Sequence, residues 1–142
     1  MTKIINGSCL CGLIKVKIKK ELRKAVFCHC TQCQKANAEF SLYTKCSLEN
    51  VDINPVGKIK WYKSSKHSKR GFCPKCGSSM FFQSNNNTDN TIAISTGILD
   101  KSVKTIGHIY TSSKKTKVNI DSDLRKFKTS AKGFFDQFKV KL

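Results

Sequence analysis

Between Leu13 and Lys19 the chain alternates strictly, with Ile14, Val16 and Ile18 apolar and Lys15, Lys17 and Lys19 charged. A side-chain period of two is that of a strand with one face buried and the other wet, so 13–19 is predicted to be a half-buried strand. Shorter runs rich in β-branched and aromatic residues predict further strands at 40–44, 58–63, 79–83, 91–96 and 105–110. The stretch SNNNTDN at 84–90 holds turn formers and no apolar anchor, and reads as a loop. Helical patterning is sparse. A short helix is predicted through QCQKANAEF at 32–40, and the tail at 130–142 reads as an apolar edge docked on the body. If that tail is helical, Phe134, Phe135 and Phe138 share one side. There is no repeat and no long linker, so 1–142 is read as one mainly β domain with at most short helices.

A chain of 142 residues suits a single domain, able to bury about two thirds of its unfolded surface. No apolar run approaches the roughly 20 residues of a membrane span. The opening MTKIINGSCLCG lacks the apolar centre of a secretory signal. A cytoplasmic location without membrane contact is therefore expected. Eight cysteines in a reducing compartment favour metal binding or catalysis over disulfides, and their close spacing argues the same way. The net charge of +18 comes almost entirely from lysine. Such a field attracts anions, whether a polyanion or a small substrate, and it is also what lysine-rich compositional drift would leave.

The cysteines divide by spacing. Cys9 and Cys11 form a C-x-C pair, and Cys73 and Cys76 form a C-x-x-C knuckle followed by Gly77. Two such pairs can close a tetrahedral four-thiolate site with no place left for substrate, the pattern of a structural zinc. Cys28, Cys30 and Cys33, spaced C-x-C-x-x-C, offer three thiolates and leave a fourth position open, the pattern of a catalytic zinc. Up to two Zn2+ per chain are expected. His29 lies between two of these ligands, where an extended backbone points it away from the metal face. It is read as a group beside the site or a nearby proton carrier, the alternative being a solvated histidine. Cys46 is read as a small buried hydrophobe, the alternative being a fourth ligand that would close the second site.

The ordered motifs GSCLCG (7–12), CHCTQC (28–33), RGFCPKCGS (70–78), GILD (97–100) and HIY (108–110), with VNIDSDLRKF (118–127) after them, resemble the glutathione-dependent formaldehyde-activating enzyme family, which also contains centromere protein V. The resemblance runs over about 5–128. It implies a β-tent-like fold of several coiled antiparallel sheets stapled by zinc. It also implies structural ligation by Cys9, Cys11, Cys73 and Cys76, and catalytic ligation by Cys28, Cys30 and Cys33. The implied reaction joins formaldehyde to glutathione, so a small thiol and an aldehyde are the expected partners of a carbon–sulfur lyase. Lys35, Arg70 and His108 lie in or beside the matched motifs and are candidates for holding the anionic thiol. After the second cysteine set the run QKANAEF departs from the Ser-Gly pair frequent in relatives, so the loop shaping the pocket is expected to differ.

Two other functions compete with the lyase. One is a zinc-stabilised module that binds nucleic acid or another polyanion through its lysines. It is disfavoured because Trp61 and Tyr62 are the only candidate stacking aromatics among the basic residues. The other is a thiol- or metal-responsive redox protein using the open cysteine set. The sequence leaves the oligomeric state undetermined.

Overall fold

The computed structural model describes residues 4–86, 88–114 and 125–127. The tail at 130–142 lies outside them. Within them run β1 (Ile5–Ser8), β2 (Lys15–Ile18), β3 (Ala25–Cys28), α1 (Thr31–Asn37), β4 (Ser41–Ser47), β5 (Val51–Asn54), β6 (Lys60–Lys63), β7 (Ser68–Phe72), β8 (Ser79–Ser84), β9 (Thr91–Ser95), β10 (Thr105–Ile109) and β11 (Arg125–Lys126). The fold is mainly β, as the resemblance implies, with one short α-helix among the described residues. Two sheets form, β1-β2-β5 and β11-β10-β3-β4-β9-β8-β7-β6. Pairing is antiparallel except at one end of the larger sheet, where β10 runs parallel to both β3 and β11. That departs from the all-antiparallel expectation. Parallel neighbours need a long crossover, and the whole β4–β9 portion of the chain supplies it.

The alternation of β2 puts Val16 and Ile18 inside with Ile14, while its lysines face water. These side chains meet Cys46, Met80, Phe81, Ile92 and Ile94 from the larger sheet in one core. Each such side chain contributes roughly 1.5–3 kcal/mol by leaving water. In the β7–β8 register Gly71 is opposite Phe81 and Phe72 is opposite Ser79, so Met80 is an extra residue. This bulge is how two consecutive side chains, Met80 and Phe81, both enter the core. Gly71 lets Trp61 pack closely beside it, since a Cβ there would stand 3.0 Å from the ring and crowd it.

The other face of the larger sheet carries the site. Arg70 on β7 lies opposite Phe82 on β8, Phe82 opposite Ala93 on β9, and Ala93 opposite Lys45 on β4. Directly paired residues share a face, so these four side chains form a row across the sheet. Tyr43 stands two residues from Lys45 on the same face, and Ser68 and Ser84 form a second paired row. The GILD motif ties its own loop to β1. Leu99 bridges Gly7, and Asp100 N–H donates to Asn6 C=O at 2.8 Å.

Candidate active site

The sulfurs of Cys9, Cys11, Cys73 and Cys76 lie within 4.8 Å of one another. The turn after β1 brings the first two together: Gly12 N–H donates to Cys9 C=O, and Cys9 N–H to Ile14 C=O, both at 3.0 Å. The knuckle closes likewise, with Gly77 N–H on Cys73 C=O at 2.9 Å and Gly77 in the left-handed region at φ 74°. Ser78 joins the two turns, its Oγ accepting from Leu10 N–H at 2.9 Å and lying 3.2 Å from Cys76 Sγ. The Ser78 hydroxyl is the first of the contacts that draw the Cys76 thiol down to about 5. The Cys9–Cys11 and Cys11–Cys73 sulfurs are 3.6 and 3.8 Å apart. Four sulfurs at about 2.3 Å from a zinc would be about 3.8 Å from each other, so the donor set fits a tetrahedral ion.

Cys28, Cys30 and Cys33 also bring their sulfurs within 4.8 Å. Cys28 ends β3. Cys30 caps α1, its Sγ accepting from Cys33 N–H at 3.4 Å, so the first helical turn folds Cys33 back onto the other two. Arg70 Nη2 donates to Cys33 Sγ at 3.6 Å. The Cys33 thiol is held far below its ordinary range by hydrogen bonds from Cys28 and Cys30 first, with Ser41 and the Arg70 charge adding to them. Cys28 is pushed up, chiefly by Cys30 and Cys33. Three thiolates at this spacing repel, so together they require a cation. This donor set, too, fits a metal ion.

The two clusters differ in access. Cys28, Cys30 and Cys33 all open on a cavity of about 510 Å³, and none of the other five cysteines lines it. Its floor is the Arg70–Phe82–Ala93–Lys45 row, with Tyr43, Ile109 and Tyr110 around it. Arg23, Lys45 and Arg70 give the walls three cations against one carboxylate, Asp89. Asp89 accepts from Lys45 and from Thr91 Oγ1. Burial lowers the Arg23 guanidinium to about 10, which leaves it charged at neutral pH.

The other candidates scatter. Arg70 is on the cavity wall, 7% exposed and beside Cys33. Lys35 is exposed on α1 and does not line the cavity. His29 and His108 are buried on the opposite face of the sheet, His29 Nε2 lying 2.9 Å from His108 Nδ1. The β3–β10 register explains this: His108 lies opposite Phe27, and their rings stack at 4.7 Å, while Ile109 and Cys28 turn to the cavity. Burial, with Lys114 adding to it, lowers the His29 pKa and favours the neutral ring. Cys46 is a core residue whose thiol burial pushes up to about 11. Tyr43, Lys45 and Phe82 carry no site signal in the sequence, because each sits in a run whose only visible feature is strand propensity. Among the described residues no helix is long and apolar enough to cross a membrane.

Two sheets carrying two cysteine clusters, each able to hold a metal ion and one of them opening on a cavity, define a small β protein with two candidate metal sites. The family model for glutathione-dependent formaldehyde-activating enzyme matches residues 4–113, and the chain belongs to that family. An uncharacterized lyase from Schizosaccharomyces pombe is 34% identical over 79 residues, 54% of this chain and 56% of that protein, so the match spans little more than half its length. A crystal structure of a Rhodobacter sphaeroides protein shares the fold, with a TM-score of 0.57 at 20% identity over 68% of this chain and 89% of the other.

Proposed function

We propose that the chain is a zinc-dependent carbon–sulfur lyase that joins a small thiol such as glutathione to an aldehyde and runs the reverse cleavage. The observation that carries this reading is the access of Cys28, Cys30 and Cys33, and of these cysteines alone, to the 510 Å³ cavity. Cavities of about 300–1,000 Å³ take small-molecule ligands. Cys28, Cys30 and Cys33 would hold the zinc, which when bound supplies positive charge that favours thiolate at neutral pH. In the synthetic direction a bond forms between the thiol sulfur and the aldehyde carbon. The C=O π pair moves to oxygen, and the proton lost from sulfur ends on that oxygen.

The protein's own groups prepare this step. Arg70 offsets the charge of Cys33 across a 3.6 Å contact. Arg23, Lys45 and Arg70 outnumber Asp89 on the walls and gather an anionic thiol. Phe82, Ala93 and Ile109 displace water from the reacting atoms. Cys9, Cys11, Cys73 and Cys76 serve the fold, stapling the β1–β2 turn to the β7–β8 turn. The test is adduct formation from formaldehyde and glutathione, followed by exchange NMR with the zinc-loaded protein. The wild type should accelerate exchange between free and adduct thiol, and Cys30→Ser should not. Equal rates for the two proteins would sink the reading.

A further inference from the structure

We propose that Arg70 and Tyr43 form a carboxylate-binding subsite next to the open cysteine cluster, so that the preferred thiol carries a carboxylate a few bonds from its sulfur. This deepens the preceding reading and rests on its placing the thiol sulfur at Cys28, Cys30 and Cys33. Both side chains are 7% exposed and both line the cavity. Arg70 Nη2 is engaged with Cys33 Sγ, yet Nη1 is buried without a hydrogen-bond partner among the described residues, and so is the Tyr43 hydroxyl. A buried donor left unpaired is costly, and native interiors pair almost all of them. Both residues line one cavity, so a small side-chain rotation would offer the two buried donors to a ligand's oxygens.

The geometry brings the two groups to one place. The Arg70 guanidinium carbon lies 5.1 Å from the Phe82 ring centre, and the Tyr43 ring centre lies 6.3 Å from the same ring. One guanidinium N–H and one phenol O–H can serve the two oxygens of a single carboxylate, with the charge on the guanidinium strengthening the pair. Because the same guanidinium reaches Cys33 Sγ, the carboxylate must sit near the sulfur. Arg23 and Lys45 extend the positive field without being needed for the contact. The Phe82 ring packs against the guanidinium and adds a cation–π contact.

The probes are 3-mercaptopropionate, 2-mercaptoethanol and propionate, titrated calorimetrically into the zinc-loaded full chain at fixed pH. Their comparison separates the carboxylate from the thiol. The wild type should bind 3-mercaptopropionate at least about tenfold more tightly than 2-mercaptoethanol, the effect of hydrogen bonds to a charged group. Tyr43→Phe, which is nearly isosteric, should reduce that ratio about fivefold, and Arg70→Met should bring it near one. The ratio is taken within each variant, with zinc content measured, so a general loss of folding or metal cancels. A wild-type ratio near one, or a ratio unchanged in both variants, overturns the subsite. If neither thiol binds but propionate does so in an Arg70-dependent way, the subsite stands and the thiol-lyase reading fails. If both thiols bind equally, the lyase reading stands and the subsite falls.

Discussion

Replacing Ala93 by leucine separates the cavity from the core with one side chain. Ala93 lies mid-row on the cavity floor, opposite Phe82 on one side and Lys45 on the other, whereas its neighbours Ile92 and Ile94 point into the core. Leucine adds three heavy atoms. Each takes about the volume of a water, about 30 Å³, so together they fill roughly 90 Å³. That is about a sixth of the 510 Å³ cavity. Overpacking a filled space costs about 1–3 kcal/mol, and here the space is filled only when ligand is bound. The free protein should keep its melting temperature to within a few degrees, while thiol affinity should fall about 5- to 150-fold. Thermal melts and calorimetric titration of glutathione into the zinc-loaded variant measure the two effects. A melting temperature lowered by more than about 10 °C would place Ala93 in packed core and refute the two-face assignment. Unchanged glutathione affinity would show that the cavity is not the binding site.

Cys76→Ser should damage folding severely, because a structural zinc contributes its binding free energy directly to the fold, and Cys30→Ser should leave a folded protein without the more labile ion. Equal loss of melting temperature in the two variants would mean that both clusters are structural. Cys46→Ala should cost about 1–2 kcal/mol as a small core truncation and leave the zinc content unchanged; loss of an ion would make Cys46 a ligand. Duplex DNA at physiological salt should bind no more tightly than the about 10⁻⁴–10⁻⁶ M of non-specific contacts. Single-stranded DNA should gain little more, because Lys69 Nζ, 4.7 Å from the Trp61 ring centre, already covers a face that an unpaired base would stack on. Tight binding that survives Cys30→Ser would favour the polyanion module instead.

What is legible in the sequence follows from what each segment faces. The lysine–aliphatic alternation of β2 announces its strand because one face meets the core and the other meets water. The cysteine clusters are legible because ligands from one turn must lie close in sequence. β7 shows no such signal because one of its faces looks into the cavity and not into the core: Ser68 and Arg70 occupy positions where a core strand would show aliphatic residues. β1 is hidden for a different reason: it is short and polar, and its Gly7 makes room for the Ile98 carbonyl, 2.5 Å from where a Cβ would stand. Neither the His29–His108 pair nor the Arg70–Cys33 contact is visible. They join residues 79 and 37 positions apart, and the first depends on the parallel β3–β10 register. Tyr43 shows the same limit: its strand propensity is plain, but a buried hydroxyl without a hydrogen-bond partner among the described residues is a property of several strands together.

The division into a closed four-cysteine site and an open three-cysteine site is tested most directly by elemental analysis of the purified chain before and after mild chelation. Two zinc ions per chain are expected at first. One should be removed readily, and the other, held by Cys9, Cys11, Cys73 and Cys76, should be retained. Equal retention of both ions, or iron in their place, would contradict the account.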